Sequence, residues 1–445
     1  MKIVVLCSLL LSAAARAAAV PHERRRPNII VFMADTLRSD SLGCYGQKVF
    51  KTPGIDAFAA GGVRFADAFS QSAWTRDSIA TLFTGQYHWA NRVSGRRSRL
   101  APGAVTLARL LSGAGYKTGA VNANPNIDKA FGMDQGFSDF IPLYGLKVAP
   151  DRDIAPSEVK IPANKVVDEA LAWIKKRRDE PFFLFVLATD PHGPYQPPSP
   201  YDTLYADRGA APFPTLPGPS RSKIIGQQDL YGGEVSYLDA QFGRFLSALD
   251  ALGLGKDAAI VFLADHGEEF YEHGRPFHGR TLYDPAIRVP LIVRYPAHAR
   301  PGRVVDGLVE VRDLFPTILG WAGVGAPPET DAQSLTDCLA KDCPGRAAIV
   351  STLDLDRYSI DAVRDRNYKL LSFPALSRTE LFDLSRDPGE YSNISSSRTD
   401  VAASYSALLE RVKALSLRKG KEESRAPLPL DENVRQRLKA MGYMQ

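Results

Sequence analysis

Apolar runs and amphipathic stretches alternate along most of the 445-residue chain. Short continuous apolar runs, typical of strands buried on both faces of a sheet, lie at 28–34, 117–121, 182–188, 258–264 and 291–294. Apolar residues with helical spacing predict helices at 105–114, 164–176, 228–252 and 311–322. This alternation predicts an α/β fold in which helices cover both faces of a mostly parallel sheet.

The pattern changes from about residue 345 onward. Strands become shorter, at 368–373 and 380–384, and helical periodicity thins out, which predicts a small α+β subdomain over 345–423. The larger domain before it is expected to span 28–344, and residues 424–445 are expected to form a tail or a packed arm. The Pro-, Gly- and Ser-rich stretch 191–221 predicts an ordered loop near the functional site.

The first residues have the pattern of a secretory signal peptide. Lys2 precedes a short apolar run, small residues follow, and an A-x-A cleavage site ends at Ala19. We therefore expect a signal peptide at 1–19, a basic linker at 20–27 and a periplasmic or secreted mature protein. The alternative is a frayed N-terminal helix. The apolar run is too short to span a bilayer, so no stable membrane insertion is expected after cleavage.

The charge and the cysteines of the chain limit which partners and which cysteine chemistry are expected. The net charge of +5 is small and, apart from Arg24–Arg26 and Arg96–Arg99, spread along the chain, so no nucleic-acid partner is expected. Cys338 and Cys343 are close enough in sequence to form a disulfide loop in an oxidising compartment. Cys44 is predicted to be a buried small residue rather than a nucleophile. The sequence leaves the oligomeric state open.

Polar residues follow three of the predicted strands. Asp35 follows the first strand, Asp265 and His266 follow the fourth, and His192 lies just beyond the third. Because open α/β sheets bind ligands at the carboxyl ends of their strands, we expect these side chains to converge at one edge. Two carboxylates, a histidine and a hydroxyl would form a site for a hard divalent cation, which the hydrolysis of a stable anionic ester needs. A single aspartate at a strand end could instead cap a helix.

The hydroxyl is expected to come from the segment 72–85, which has several hydroxyl groups at the start of an apolar helix. A helix N-terminus favours an anionic group in front of it, so Thr75 and Ser78 are candidates for a nucleophile. Either residue could instead serve only as a helix N-cap.

Nine motifs follow one another from Asn28 to the C-terminus. They are NIIVFMADTLRSDSLGCYG, TPGIDAFAAGGVRFADAF, SAWTRDSIATLFTG, GYKTGAVNANPNI, DPHGPYQPP, ADHGEEFYEHGRPFHGRTLYDPAIRVPLIVRYP, YKLL, ELFDLSRDPGE and LKAMGY. In this order they resemble the sulfatase family of the alkaline-phosphatase superfamily. The resemblance implies an alkaline-phosphatase-like sheet sandwiched by helices and an anionic sulfate or phosphate ester as substrate.

The resemblance also implies a metal site. Asp35, Asp265 and His266 are expected to hold one divalent ion (calcium, manganese or magnesium), and Thr75 stands at the position of the catalytic nucleophile and metal-bound hydroxyl. Metal coordination would lower the pKa of that hydroxyl and position it for attack.

Four further residues are expected to contact the ester. His192 and His278 resemble the family residues that contact the ester and its leaving oxygen, although either could make only structural hydrogen bonds. Arg280 occupies a place where many sulfatases have a substrate-binding lysine, and Asn124 lies where a Lys/His motif is otherwise found. A histidine can protonate a leaving alkoxide near neutral pH, and a guanidinium can hold two oxyanion oxygens.

Two departures from the family pattern keep the reaction open. Typical sulfatases carry two adjacent aspartates where this chain has Asp35 and Thr36. They also carry a cysteine or serine that becomes formylglycine, which Thr75 cannot. An unmodified threonine is similar to that of phosphodiesterases and phosphoglycerol transferases in the superfamily. Three functions follow: sulfuric ester hydrolysis, phosphoester or phosphonate hydrolysis or phospho-group transfer with Thr75, and a catalytically silent metal- and anion-binding protein.

Overall fold

The computed structural model describes residues 26–96, 98–145, 160–206, 211–214, 221–295, 300–355, 358–420 and 431–441. The predicted signal peptide at 1–19 lies outside the described residues, as do most of the linker at 20–27 and both ends, 424–430 and 442–445, of the predicted tail. Within the described ranges, no helix is both long enough and apolar enough to cross a membrane.

Strands and helices alternate along the larger, N-terminal part of the described chain. In chain order, the strands are β1 Ile29–Ala34, β2 Val63–Phe69, β3 Lys117–Asn122, β4 Asp139–Pro142, β5 Phe182–Ala188, β6 Ala259–Ala264, β7 Glu269–Phe270, β8 Pro276–Phe277, β9 Arg288–Arg294, β10 Arg303–Glu310, β11 Ile349–Leu355, β12 Tyr358–Arg364, β13 Tyr368–Phe373 and β14 Arg378–Asp383. The α-helices are α1 Pro53–Ala60, α2 Thr75–Thr84, α3 His88–Asn91, α4 Leu107–Gly113, α5 Ala163–Arg177, α6 Arg221–Ala251, α7 Asp284–Ile287, α8 Leu314–Trp321, α9 Thr399–Lys419 and α10 Glu432–Ala440.

Eight strands form one large sheet in the order β10–β2–β9–β6–β1–β5–β3–β4. In its centre, β1 pairs in parallel with both β5 and β6, and β5 pairs in parallel with β3. β9, which contains the predicted strand at 291–294, runs antiparallel to its neighbours β6 and β2. The other pairs, β3 with β4 and β10 with β2, are parallel. The prediction of a mostly parallel sheet is therefore confirmed.

Helices cover both faces of this sheet. Phe32 of β1 is one register position away from Phe185 of β5, so their side chains point to opposite faces. Phe242 of α6 packs against Phe32 with ring centroids 5.0 Å apart, and Phe83 of α2 packs against Phe185 at 5.0 Å. β1, β5 and β6 are buried along their whole length. This burial on two faces explains why these strands are apolar at every position rather than at alternate ones.

The main differences between the predicted and the observed helices concern α6, α8 and α9. α6 begins at Arg221, before the predicted start at 228 and directly at the end of the Pro-, Gly- and Ser-rich stretch. The predicted helix at 311–322 divides into a 3-10 turn followed by α8. The sequence pattern does not predict α9, because only Leu409 and Ser416 of that helix are buried. Its apolar residues therefore do not form the core-facing stripe that helical spacing detects.

The C-terminal part of the chain forms a second sheet, which is antiparallel and has the order β11–β12–β13–β14. α9 packs against this sheet through Leu409, which belongs to a buried cluster with Val350, Val363, Leu370 and Leu381. The α+β character expected of this region is confirmed. The bounds of 28–344 and 345–423 for the two units stay predictions.

The cysteines lie as the sequence predicts except for the burial of Cys44. Cys338 and Cys343 form a disulfide. Cys44, predicted to be buried, is only partly buried, because it lies in a short turn between β1 and α1 rather than in the sheet. Burial and the neighbouring Asp56 raise the pKa of the Cys44 thiol to about 12. The thiol is therefore protonated at neutral pH, as expected of a residue that is not a nucleophile.

Candidate active site

Three side chains at the carboxyl ends of two central strands form a buried group. Asp35 directly follows β1, and Asp265 and His266 directly follow β6; the last residues of the two strands, Ala34 and Ala264, are register partners. Each residue offers one ligand atom, and these atoms lie within 4.8 Å of one another. His266 Nε2 is 3.4 Å from Asp265 Oδ2 and 3.9 Å from Asp35 Oδ1. We call these three residues the ligand group.

The two carboxylates of the ligand group fit a hard cation. Asp35 Oδ2 accepts a hydrogen bond from Asn124 Nδ2, and Asp265 Oδ1 accepts from the backbone amides of Thr36 and His266. The remaining oxygens, Asp35 Oδ1 and Asp265 Oδ2, are buried and accept no hydrogen bond. Burial and the charge of Asp265 raise the pKa of Asp35 well above its usual range. A divalent ion such as Ca²⁺, Mg²⁺ or Mn²⁺ would supply the missing partner to both oxygens.

The local sequence fixes the orientation of His266. Its Nδ1 lies 3.0 Å from the carbonyl oxygen of Gly267, and because a carbonyl only accepts, Nδ1 carries the proton. Nε2 therefore presents its lone pair to the ligand group. A side chain at position 267 would place Cβ 2.0 Å from the carbonyl oxygen of Pro285, so glycine is needed for this turn after β6.

Thr36 has an unusual conformation beside the ligand group. Its φ is +58°, which is rare for a β-branched residue, and its Oγ1 is buried without a hydrogen-bond partner. The backbone amide of Thr36 donates to Asp265 Oδ1 over 3.2 Å. A strained residue with an unsatisfied hydroxyl is typical of a functional position.

The two candidate nucleophiles have different surroundings. Thr75 is the first residue of α2, is fully buried, and places its Oγ1 3.3 Å from His266 Nε2. Ser78 instead donates through Oγ to the main-chain oxygen of Asp265 over 2.7 Å and accepts from Ser70. The N-cap residue of α2, Trp74, gives no side-chain cap to the helix. Thr75 therefore meets the ligand group at a helix end suited to an anion, whereas Ser78 ties α2 to β6.

Three imidazole rings lie side by side at the site. The ring of His278 is 4.5 Å from that of His266 and 5.0 Å from that of His192, measured between centroids. Burial and His278 lower the pKa of His192 well below its usual range, and burial and His266 do the same for His278. Both rings are therefore neutral at pH 7 in this structure.

Asn124 and Arg280 occupy different depths of the site. Asn124 is fully buried, and its side-chain amide nitrogen donates to Asp35 of the ligand group. Arg280 is exposed, and its charge contributes to the lowered pKa of His278. Arg280 thus lies at the mouth of the site, within electrostatic reach of the histidines.

Several residues near the site were not predicted from the sequence. Trp74 packs its ring 5.9 Å from His278, and the guanidinium of Arg96 lies 5.0 Å above the Trp74 ring. Lys160 is buried, donates to the main-chain oxygen of His192 over 2.8 Å and forms an ion pair with Glu234. No sequence signal distinguishes Lys160, because its partners are remote in the chain. Trp74 and Arg96 were visible only as parts of a motif and of a basic patch.

The fold and this arrangement define a hydrolase of anionic esters with the alkaline-phosphatase-like architecture. The family model described as "Sulfatase" matches residues 27–324, and the model described as "N-sulphoglucosamine sulphohydrolase, C-terminal" matches residues 271–417. The chain therefore belongs to the sulfatase family.

Individual relatives and solved structures agree with this assignment. An arylsulfatase of Clostridium perfringens is 26% identical in an alignment of 440 positions that covers 83% of this chain and 90% of the relative. The phosphonate monoester hydrolase of Agrobacterium radiobacter superposes with a TM-score of 0.76 at 23% identity, covering 88% of this chain and 96% of the other. A protein solved with its substrate D-glucosamine-2-N,6-O-disulfate gives 0.76 at 21% identity, covering 89% and 100%. At these identities the structural likeness shows the fold.

Proposed function

We propose that this chain is an exported, divalent-metal-dependent hydrolase of sulfuric esters in which Thr75 is the nucleophile. The observation that carries the proposal is the position of Thr75 Oγ1, which lies 3.3 Å from His266 Nε2 in a buried group with two unsatisfied carboxylate oxygens. An uncapped helix N-terminus at the same point favours a substrate anion.

Asp35, Asp265, His266 and the hydroxyl of Thr75 would hold the cation. A bound divalent ion would lower the pKa of a hydroxyl group and offset negative charge on the transferred group. Asn124 would then act through Asp35, since its amide holds one oxygen of that carboxylate and leaves the other directed to the group. Oxygen-rich ligands favour calcium, magnesium or manganese over softer metals.

The reaction would take place in two displacements. Thr75 Oγ attacks sulfur, the bond from sulfur to the leaving oxygen breaks, and the alcohol leaves with one proton in exchange for the proton lost by Thr75. Water then attacks the threonine sulfate ester, which releases sulfate and restores the hydroxyl. His278 and His192 are the residues that would protonate the leaving oxygen, because the substrate anion counteracts their lowered pKa. Arg280 would hold oxyanion oxygens at the mouth.

A second candidate function is the cleavage of phosphoesters or phosphonates, or the transfer of a phospho group. It is favoured by Thr75 itself, since an unmodified threonine suits the attack on phosphorus and cannot form formylglycine. The third candidate, a silent protein that binds metal and anion, predicts both kinds of binding without turnover.

Export to the periplasm or the medium is supported by two observations. The pattern of residues 1–19 is that of a signal peptide, and the disulfide between Cys338 and Cys343 needs an oxidising compartment. An N-terminal sequence of the secreted protein that begins near residue 20 would support export. A protein retained in the cytoplasm with its first residues intact would contradict it.

The function is tested with residues 20–445, freed of metal and loaded in turn with calcium, magnesium, manganese and zinc. Aryl sulfates, phosphate monoesters, phosphodiesters and phosphonates are assayed side by side. Thr75→Ala is expected to reduce turnover by at least about 1000-fold while the folded protein still binds the metal. Ser78→Ala is the matched control, since it removes a hydroxyl from the same turn of α2 and leaves Thr75 in place.

The outcomes separate the candidates. Thr75-dependent release of sulfate would support the main proposal, and Thr75-dependent cleavage of phosphorus esters alone would support the second candidate. Metal and sulfate binding without any turnover would support the silent protein. Full activity of Thr75→Ala would remove that residue from the mechanism.

A further inference from the structure

A buried carboxylate outside the ligand group joins the two histidines of the site. Glu268 follows β6 by four residues, is fully buried, and divides its two oxygens between two partners. Its Oε1 lies 2.9 Å from His278 Nδ1, and its Oε2 accepts from the hydroxyl of Tyr195 over 3.0 Å. Tyr195 is on the loop that carries His192. One side chain thus connects the segments that bear both candidate proton donors.

The contact with Glu268 determines how His278 can act. When Glu268 is ionised its oxygens only accept hydrogen bonds, so the His278 nitrogen that faces it, Nδ1, carries the proton. Nε2 is then the nitrogen of His278 that would act on the reacting oxygen, and the ring cannot turn without breaking its bond to Glu268. This is the logic by which a buried acid fixes the tautomer of a catalytic histidine in hydrolytic triads.

Glu268 is itself held rigidly. The guanidinium of Arg38 donates to the main-chain oxygen of Glu268 over 3.0 Å. On the other side, the ring of Tyr195 packs against those of Tyr231 and Phe270, with centroids 5.7 and 5.8 Å apart. A carboxylate fixed at both its backbone and its side-chain partners can orient another group without losing further rotational freedom.

The next residue in the chain supplies an internal comparison. Glu269 is also buried and lies 2.9 Å from Nδ1 of another histidine, His273. The Nε2 of His273, however, lies 3.0 Å from the main-chain oxygen of Gly389, beyond the C-terminal sheet. Adjacent glutamates therefore hold one histidine towards the ligand group and one towards the C-terminal subdomain.

We infer that Glu268 is a positioning residue that holds the Nδ1–H of His278 and so aims Nε2 at the leaving oxygen, to which Nε2 gives a proton once the ring is doubly protonated. The inference rests on the proposed function and adds a residue to it. Protonation matters most when the leaving oxygen is strongly basic, because a weakly basic oxygen departs without it. Loss of Glu268 therefore affects esters of weakly acidic alcohols more than esters of acidic ones.

The test compares Glu268→Ala, Glu268→Gln and the control Glu269→Ala on metal-loaded enzyme. The substrates are aryl sulfates whose leaving phenols range from dinitrophenol to unsubstituted phenol, or the matching aryl phosphonates if the wild type cleaves only phosphorus esters. Glu268→Ala is expected to lower kcat about 100-fold for the phenyl ester and less than about 5-fold for the dinitrophenyl ester, with KM little changed. Glu268→Gln can accept from Nδ1 only through its amide oxygen and carries no negative charge, so it should recover part of this loss. Glu269→Ala should change all esters by one common factor.

A second measurement does not depend on turnover. Nitrogen NMR of protein labelled in its histidines reports which ring nitrogen carries the proton, and the signals of His278 are identified from their loss in His278→Gln. The metal-loaded wild type and Glu268→Gln should show His278 protonated at Nδ1, and Glu268→Ala should show a mixture of tautomers. An unchanged tautomer in Glu268→Ala, or equal losses of kcat for every ester, would overturn the role of Glu268 alone. A wild type inactive on every ester series would overturn the proposed function and the catalytic part of this inference with it.

Discussion

Replacing Asp35 by asparagine should stabilise the metal-free protein and strongly weaken its stabilisation by metal. Asp35 and Asp265 are buried together with their free oxygens unsatisfied, and the ligand atoms of the group lie within 4.8 Å of one another. Two unit charges at that separation repel by about 3 kcal/mol if the effective dielectric constant is about 20. The pKa of Asp35 is raised, so part of this repulsion is already relieved by protonation. We therefore expect Asp35→Asn to add about 1–3 kcal/mol to the free energy of unfolding in chelator.

The assay is thermal unfolding of wild type and variant, first in chelator and then across a titration with the activating metal. For a chain of this length the gain corresponds to a rise in Tm of about 1–3 °C without metal. A cation at 1000 times its Kd would stabilise the wild type by about 4 kcal/mol and the variant by much less, so the ranking of the two proteins should reverse. Asn124 can still donate to the new amide oxygen, so the substitution removes charge with little change of shape.

The matched control is Asp284→Asn, which makes the same chemical change at another buried carboxylate. Asp284 accepts from Lys369 over 2.8 Å and lies 3.3 Å from Arg364. Although burial opposes them, these cations lower the pKa of Asp284 below its usual range. Asp284→Asn should therefore destabilise the protein with or without metal. If metal-free Asp35→Asn were as destabilised as Asp284→Asn, the fold would not be burying Asp35 against the charge of Asp265. That result would refute the reasoning that this carboxylate is kept in place to bind a cation.

Two further predictions concern stability. Burial lowers the pKa of His273, but the hydrogen bond to Glu269 outweighs this effect and raises the pKa above its usual value. The contribution of protonated His273 to folding stability is therefore complete below about pH 6.5 and is lost as the pH rises through the raised pKa. The Tm difference between wild type and His273→Gln should shrink over that rise in pH, and a constant difference would contradict the prediction. Gly85→Ala should cost about 2–4 kcal/mol in denaturant unfolding, because φ is +67° and the new Cβ would lie 2.6 Å from Phe315. Gly253→Ala is the control, because φ is +73° but the new Cβ would have nothing within 4 Å, so it should cost only about 1 kcal/mol. If the two variants lost the same free energy of unfolding, the contact with Phe315 would not contribute to the cost at Gly85.

The large sheet could be predicted from the sequence because its central strands are buried on both faces. β1, β5 and β6 need apolar residues at every position, and such runs are visible without knowledge of any partner. α9 could not be predicted, because it covers the second sheet with few buried residues and its pattern is that of an exposed segment. The amphipathic signal reports burial rather than helicity, so weakly buried helices escape it.

The candidate site also has a part that could be predicted from the sequence and a part that could not. Asp35, Asp265 and His266 follow strands directly, so their meeting at one edge is a consequence of parallel pairing that sequence can predict. Glu268 meets Tyr195 across 73 residues of chain, and Lys160 reaches Glu234 across 74. Such contacts depend on how loops close over the sheet, and local sequence does not encode that. The start of α2 must also be known to within one residue to predict which of its hydroxyl groups faces the ligand group.

Thr36 changes the charge balance of the site. Where a second aspartate would give three carboxylates and a net charge of −1 around a divalent ion, Asp35 and Asp265 alone give zero. An electrically neutral centre does not repel an incoming monoanion, and it leaves more of the cation's field for the charge that develops on the departing oxygen. The same neutrality weakens the hold on the ion, since fewer anionic ligands mean a higher Kd. We therefore expect the enzyme to exchange its metal with the surroundings and to follow the concentration of free cation, and Thr36→Asp should convert it into one that retains its metal through dialysis.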